Sequence, residues 1–460
     1  MPCVHRFYRT RQGIGSTWRK TSDVPLWKKK ERGFGVKLNY GRTFFIGLAF
    51  MSISAFWQLY DSIIPLILKN TFEIGDTVAG GIMALDNILA LFMLPLFGAF
   101  SDRIRTNIGK RMPFILVGTA AAVIAMVLVP VADNLTNLPL FVVMLLFTLV
   151  AMSTYRSPAV ALMPDVTPKP LRSQANGIIN LMGALGAVFS LALIALLVPD
   201  TGIPNYVPIF AIVAAFMILA VAVLFLTIKE NKIAKEMKAY EAPGKDENRE
   251  EQGTGKMDVA VRRSLWLILA SIFFWFFAYN AVTTAFSKYV QSFLGVAGGG
   301  FASSLMLATG AAVIAFVPAG MIAARIGRKR TILSGITILA VSFALASLFT
   351  SFSPLLNVLL VFVGFGWAAI NVNSYPMVVE MAQGSDIGKY TGYYYTASMS
   401  AQILTPILSG FFLEYVGYRT LFPYAAIFMV VAFLTMSQVR HGDSKMNAPQ
   451  SKLEFLDVED

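Results

Sequence analysis

The sequence predicts an all-α integral membrane protein: twelve transmembrane helices arranged as two pseudo-symmetric six-helix bundles. Three observations carry that expectation. Of 460 residues, 56% are hydrophobic and 14% charged, which is more apolar surface than a water-soluble chain of this length can bury. Apolar runs long enough to cross a bilayer recur twelve times along the chain. The first six runs resemble the last six at a nearly constant offset of about 220 residues, the mark of a duplicated unit.

Taken in order, residues 1–42 form a basic cytoplasmic tail. Its "RFYRTRQ" and "WKKKERG" lack an apolar core, so it is neither a signal peptide nor a span. It reads as an orientation signal, with contact to anionic lipid as the alternative. Spans follow at 43–67, 78–100, 112–132, 138–163, 175–198 and 207–228, and these make an N-terminal bundle at 43–229. A cytoplasmic linker at 230–263 comes next, because "IKENKIAKEMKAYEAPGKDENREEQGTGKMD" mixes both signs of charge and offers almost nothing to bury. The C-terminal bundle, 264–438, holds spans at 264–290, 299–323, 332–351, 355–379, 391–414 and 420–438, followed by a cytoplasmic tail at 439–460. Of the 38 Lys and Arg, only Lys69, Lys288 and Arg419 fall near odd-numbered connections. The positive-inside rule therefore places both termini in the cytoplasm, and the expected location is the plasma membrane.

The repeat can be read residue by residue. "WQLYDS" in the first span answers to "FFAYNA" in the seventh, setting Asp61 against Asn280. "FGAFSDRIRTNIGKR" answers to "PAGMIAARIGRKR", setting Asp102 against Ala324, and "YRSPAVALMPD" answers to "NSYPMVVEMAQ", setting Pro158 against Pro376. Two such bundles packed face to face leave a cavity between them.

Several chemistries are excluded. No GxxxxGK[ST] occurs, so no nucleotide-driven pump is encoded. Both histidines, His5 and His441, lie in the tails, and the only cysteine is Cys3, so neither a hydrolytic constellation nor a thiolate metal site is expected. The net charge of +12 sits in loops and tails rather than in a nucleic-acid-binding face. The expectation is a non-enzyme without cofactor, metal or nucleic acid, monomeric in the bilayer.

The segment "GAFSDRIRTNIGKR" is the most specific motif. It resembles the loop signature of the major facilitator superfamily, with a second copy between Gly320 and Arg330. The resemblance implies alternating access between two bundles, with a cytoplasmic gate made by Asp102, Arg103, Lys110 and Arg111, partnered by Asp165 and Glu380 at the inner ends of the fourth and tenth spans. The plainer reading of these charges is topology and helix capping. Within the superfamily, "SDRIRTNIGKRMPFILVG" and "YRSPAVALMPDVTPKPLRSQANG" are similar to the sucrose:proton symporters and the wider glycoside-pentoside-hexuronide:cation symporter group. The sequence departs from that group where Leu149 replaces the aspartate that plant sucrose transporters carry in the fourth span. The paired aspartates of the sodium-coupled melibiose type are also missing from the second span. The resemblance implies uptake of a sugar or glycoside by symport, with a proton as coupling ion and sodium as the alternative. A proton-coupled multidrug or small-molecule antiporter is the competing function on the same fold.

Ionisable residues inside spans mark function by default, since each costs several kcal/mol unless neutral, paired or facing water. Asp61 lies about 12 Å from the outer end of its helix and Asp86 about 15 Å, nearly level with each other, while Arg156 lies about 14 Å from the inner end. Asp61 is read as the proton or sugar site; its plainer reading is a carboxyl satisfied by Tyr60 or Gln58. Asp86 tunes Asp61 or staples helices together, and Arg156 faces the cavity or snorkels. Trp57 is placed to stack on a sugar ring, with Gln58, Asn280, Asn371 and Asn373 as hydroxyl binders, whereas Trp275, Tyr279 and Trp367 divide between stacking and anchoring.

Overall fold

The computed structural model describes residues 38–167, 172–199, 204–233, 259–381 and 387–442. Most of the basic tail, including Cys3 and His5, lies outside the described residues, as do residues 234–258 of the linker and 443–460 of the C-terminal tail.

Twelve helices among the described residues are long and apolar enough to cross a membrane. They are α1 (Tyr40–Asn70), α2 (Asp76–Arg103), α3 (Met112–Asn134), α4 (Leu138–Val166), α5 (Arg172–Leu197), α6 (Val207–Thr227), α7 (Val259–Ser292), α8 (Gly300–Ile326), α9 (Arg328–Ala346), α10 (Pro354–Val379), α11 (Ile387–Tyr415) and α12 (Leu421–Ser437), with a 3₁₀ turn at Tyr418–Thr420. Local chemistry sets several starts. The Asn39 side chain accepts from Arg42 N at 3.0 Å, and Asn137 does the same for Leu140 N at 3.0 Å. Prolines open α3, α4, α6 and α10, where a missing N–H costs nothing. The helices are apolar all round rather than on one stripe, so residues such as Val117, Leu219, Ile314 and Leu348 face outward, as lipid-exposed helices require.

The duplication is visible in the packing. Within the first half α1 packs on α5 and α6, α3 on α4 and α6, and α2 on α4; within the second half α7 packs on α11 and α12, α9 on α10 and α12, and α8 on α10. Each pair has its mate. The halves meet through α1 on α7, α2 on α11 and α5 on α8, which again map onto one another under the repeat. We call the side where α1 starts and α12 ends the tail side, and the opposite side the far side.

The linker starts with a helical turn whose first residue is buried. Residues 230–233 continue as a helical turn, and Glu230, only 2% exposed, is part of the fold rather than of a solvated strand of charge. The reason is local: its carboxylate has a partner, described below. Helix α7 also begins at Val259, earlier than the apolar run at 264 suggests.

Candidate functional site

In the first half, α4 is fastened on both sides of Arg156. Tyr155 Oη sits 2.8 Å from Ser52 Oγ and donates to Ala49 O at 3.1 Å on α1, while Ser157 Oγ donates to Leu94 O at 2.7 Å on α2. Those bonds fix Arg156 between them, and its guanidinium lies 5.7 Å from the centre of the Trp57 ring, within cation–π range. Trp57 is one turn towards the tail side of Asp61. Asp86 lies within Coulombic reach of both Asp61 and Arg156. No ion pair among the described residues joins Arg156 to either aspartate.

Asp61 is only partly buried, deep in its span, and its carboxylate has no hydrogen bond to any described residue. The expected satisfaction by Tyr60 or Gln58 does not occur. Gln58 donates to Ser62 Oγ at 3.1 Å along its own helix, and Tyr60 Oη is buried without a partner. Asp86 accepts from Asn87 N at 2.6 Å and Asn87 Nδ2 at 2.7 Å. Helices α1 and α7 also carry buried donors that the described residues do not satisfy: Trp57 Nε1 on α1, and Trp275 Nε1 and Asn280 Nδ2 on α7. Buried donors of this kind are rare in native folds and call for an explanation.

The second half contributes less than the sequence expects. Asn373 is buried and donates to Ala369 O at 2.9 Å on its own helix. Asn371 remains partly accessible one turn away from that bond. Tyr279 and Trp367 stack on each other, with ring centres 3.7 Å apart.

At the tail side, Arg111 gathers the motif's charges. Its Nε donates to Asp165 Oδ2 at 2.9 Å, its Nη2 to Asp102 Oδ1 at 2.5 Å and its Nη1 to Gly98 O at 3.2 Å, with Ser101 alongside. Lys110 Nζ adds contacts of 2.9 Å to Asp165 and 3.4 Å to Asp102. Arg103 stands apart, exposed at the helix end. In the second half Arg328 pairs with Glu380. Asp165 and Glu380 thus meet the basic loops, each within its own half. Sequence reasoning missed Glu230, whose carboxylate accepts from Lys110 N at 2.8 Å and from Arg111 N and Met112 N at 3.1 Å, closing the N-terminus of α3. Gly109, at φ +128°, lies against that carboxylate, where a Cβ would collide with it at 2.0 Å.

The far side holds a second cluster that the sequence analysis counted only for orientation. Lys288 Nζ donates to Asp76 Oδ1 at 2.7 Å, both side chains being buried, and Tyr418 Oη donates to Asp76 Oδ2 at 2.6 Å. Lys69 reaches the Tyr418 hydroxyl and lies 3.9 Å from its ring centre; Thr77 N donates to Glu414 Oε2 at 2.8 Å. These bonds cross between the halves. Backbones touch beside them: a Cβ on Gly80 would stand 2.0 Å from Pro406 O, and one on Gly410 2.3 Å from Asp76 O. Only about 10 Å³ of space remains there, room for roughly one water.

Two mirrored six-helix halves, bonded to each other at one side and carrying partly buried charges at mid-span, define a multi-pass carrier of small molecules, a transporter rather than an enzyme. The sequence profile of the Major Facilitator Superfamily matches residues 46–318 and 299–456, and the chain belongs to that family. A search of curated proteins finds no match. Among solved structures, the nucleoside transporter NupG, crystallised as a point variant, aligns with a TM-score of 0.64 at 16% identity, covering 87% of this chain and 100% of its own. A bacterial homologue of the iron transporter ferroportin, in an inward-facing state, aligns with a TM-score of 0.63 at 12% identity, covering 88% of this chain and 99% of its own. At such identities the likeness is one of fold.

Proposed function

We propose that the protein is a proton-coupled symporter that takes up a sugar or glycoside by rocking its two halves about a site between α1, α2, α4 and α7. The observation that carries the reading is Asp61: a carboxylate deep in its span, partly accessible, without a hydrogen-bond partner among the described residues, and within Coulombic reach of Asp86. A carboxylate so placed can take a proton in one access state and release it in the other. Arg156, Trp57 and Asn280 supply what a polyol needs, namely charged and neutral donors for hydroxyl oxygens and a flat apolar ring face.

The basic tail side is the cytoplasmic side in this reading, by the positive-inside rule, and the membrane is the plasma membrane. The neighbouring structures, a nucleoside carrier and an iron-carrier homologue, share the fold and do not choose among substrates. The test is sugar-induced alkalinisation of the medium around cells expressing the protein. Parent protein should alkalinise the medium and accumulate labelled sugar uphill, whereas Asp61→Asn should lose both while retaining some sugar exchange. Uphill accumulation undiminished in Asp61→Asn would remove that residue from coupling, and dye efflux without sugar uptake would favour an antiporter.

A further inference from the structure

We infer that the tail side carries a binding site for the phosphate headgroup of an anionic glycerophospholipid, in a pocket between the start of α1 and the end of α6. The pocket has a volume of about 370 Å³ and is lined by Arg42, Lys229 and Lys232, by Asn39 at the N-cap of α1, and by the apolar Phe45 and Ile233. Its position is at the ends of two spans, which is where headgroups lie.

The exposed Lys229 and Lys232 converge there, with Arg42 in the wall. The acidic residue nearest in sequence, Glu230, is turned away and consumed by the backbone of α3, and Asp165 is held by Lys110 and Arg111. The first-turn N–H groups of the 31-residue α1 add a positive end to the same wall. What selects a lipid over free phosphate is the outer rim. Tyr40 and Phe44, next in sequence to the lining residues Gly41 and Phe45, and Phe225 and Leu226, just before the lining Thr227, are all exposed and offer apolar surface to acyl chains. Arg42 also donates to Val166 O at 3.5 Å, and Asn231 donates to Thr106 O and Asn107 O at 2.8 and 2.9 Å. An occupied pocket would therefore brace the loop that carries Lys110 and Arg111.

The test is native mass spectrometry of the purified full chain titrated with phosphatidylglycerol, with phosphatidylcholine and inorganic phosphate as separate arms. Phosphatidylglycerol should bind in preference to phosphatidylcholine. The double variant Lys229→Gln/Lys232→Gln changes two exposed side chains and should weaken that binding about thirtyfold, at roughly a fivefold effect per basic residue near an anionic surface. The charge-matched control Arg262→Gln/Arg263→Gln, on exposed residues of the other half, should bind like the parent. Equal loss in both doubles would show diffuse surface attraction and overturn the site, as would phosphatidylglycerol binding unchanged by Lys229→Gln/Lys232→Gln. Inorganic phosphate binding as tightly as phosphatidylglycerol would replace the lipid with a free anion and overturn the lipid assignment.

Discussion

At the far side Asp76 of the first half meets Lys288 and Tyr418 of the second, whereas at the tail side Asp102 and Asp165 meet Lys110 and Arg111 of their own half. Burial differs as much as connectivity. The Asp76 and Lys288 side chains are 8% and 5% exposed, while Asp102 is 56% exposed. A buried pair across the interface between the halves resists their separation, because neither charge can be left alone in a dry seam. A pair with one exposed partner, as Asp102 is to the buried Arg111, lies within a single half, where it shapes a loop and contributes less to stability. The lesson is that the charge clusters at the two sides differ in what they join, and that loss of the crossing pairs is the change expected to shift the relation of the two halves.

The largest effect should follow from breaking the crossing pair. Asp76→Asn or Lys288→Met alone leaves one buried charge uncompensated, a loss of about 3–5 kcal/mol to the far-sealed conformation. Transport should slow sharply in both single variants, and the double Asp76→Asn/Lys288→Met should recover part of the loss. A double-mutant cycle on transport rate checks this, and strict additivity would show that the two residues do not act as a pair.

A smaller effect is expected at Glu230, which joins the linker's first turn to the tail-side loop. Glu230→Ala removes the acceptor for three backbone donors of α3 and should cost about 1–2 kcal/mol, as helix caps do. Thermal melting of the purified protein measures it. A melting curve identical to the parent's would mean that water replaces the carboxylate without loss.

The smallest stability change is expected at Asp102. Asp102→Asn should slow turnover while lowering stability by less than about 1 kcal/mol, since Arg111 keeps Asp165 and Gly98 O. Normal turnover in both directions would reduce the motif to a topology signal.

How much of this was legible beforehand depends on range. The twelve spans were visible because each is a local run of hydropathy, and the duplication because paired motifs share one offset. Lys69 and Lys288 share that offset too, a signal that could have marked the far-side cluster. Their partners Asp76 and Tyr418 could not be found so, because they meet Lys288 and Lys69 only when helices hundreds of residues apart pack together. Glu230 was hidden by composition: it opens a run of mixed charge, and nothing local reveals that α3 needs its carboxylate. In the cavity, Asp61 and Arg156 were legible as costly residues inside apolar runs. Trp57 as the partner under Arg156 was not, because the ring's place depends on the bonds of Tyr155 and Ser157 to α1 and α2.

The most direct test of the crossing pair is a pair of distance measurements by pulsed electron resonance, with Cys3 replaced by Ser and spin labels introduced in two places. Leu135 and Leu348 report on the far side of the two halves, and Arg105 and Arg330 on the tail side; all four are exposed. In the parent background the far-side distances should be narrow and short. Asp76→Asn should lengthen them and shorten the tail-side distances, while Asp102→Asn leaves the far-side distribution in place. A far-side distribution unchanged by Asp76→Asn would contradict the claim that this buried pair holds the halves together.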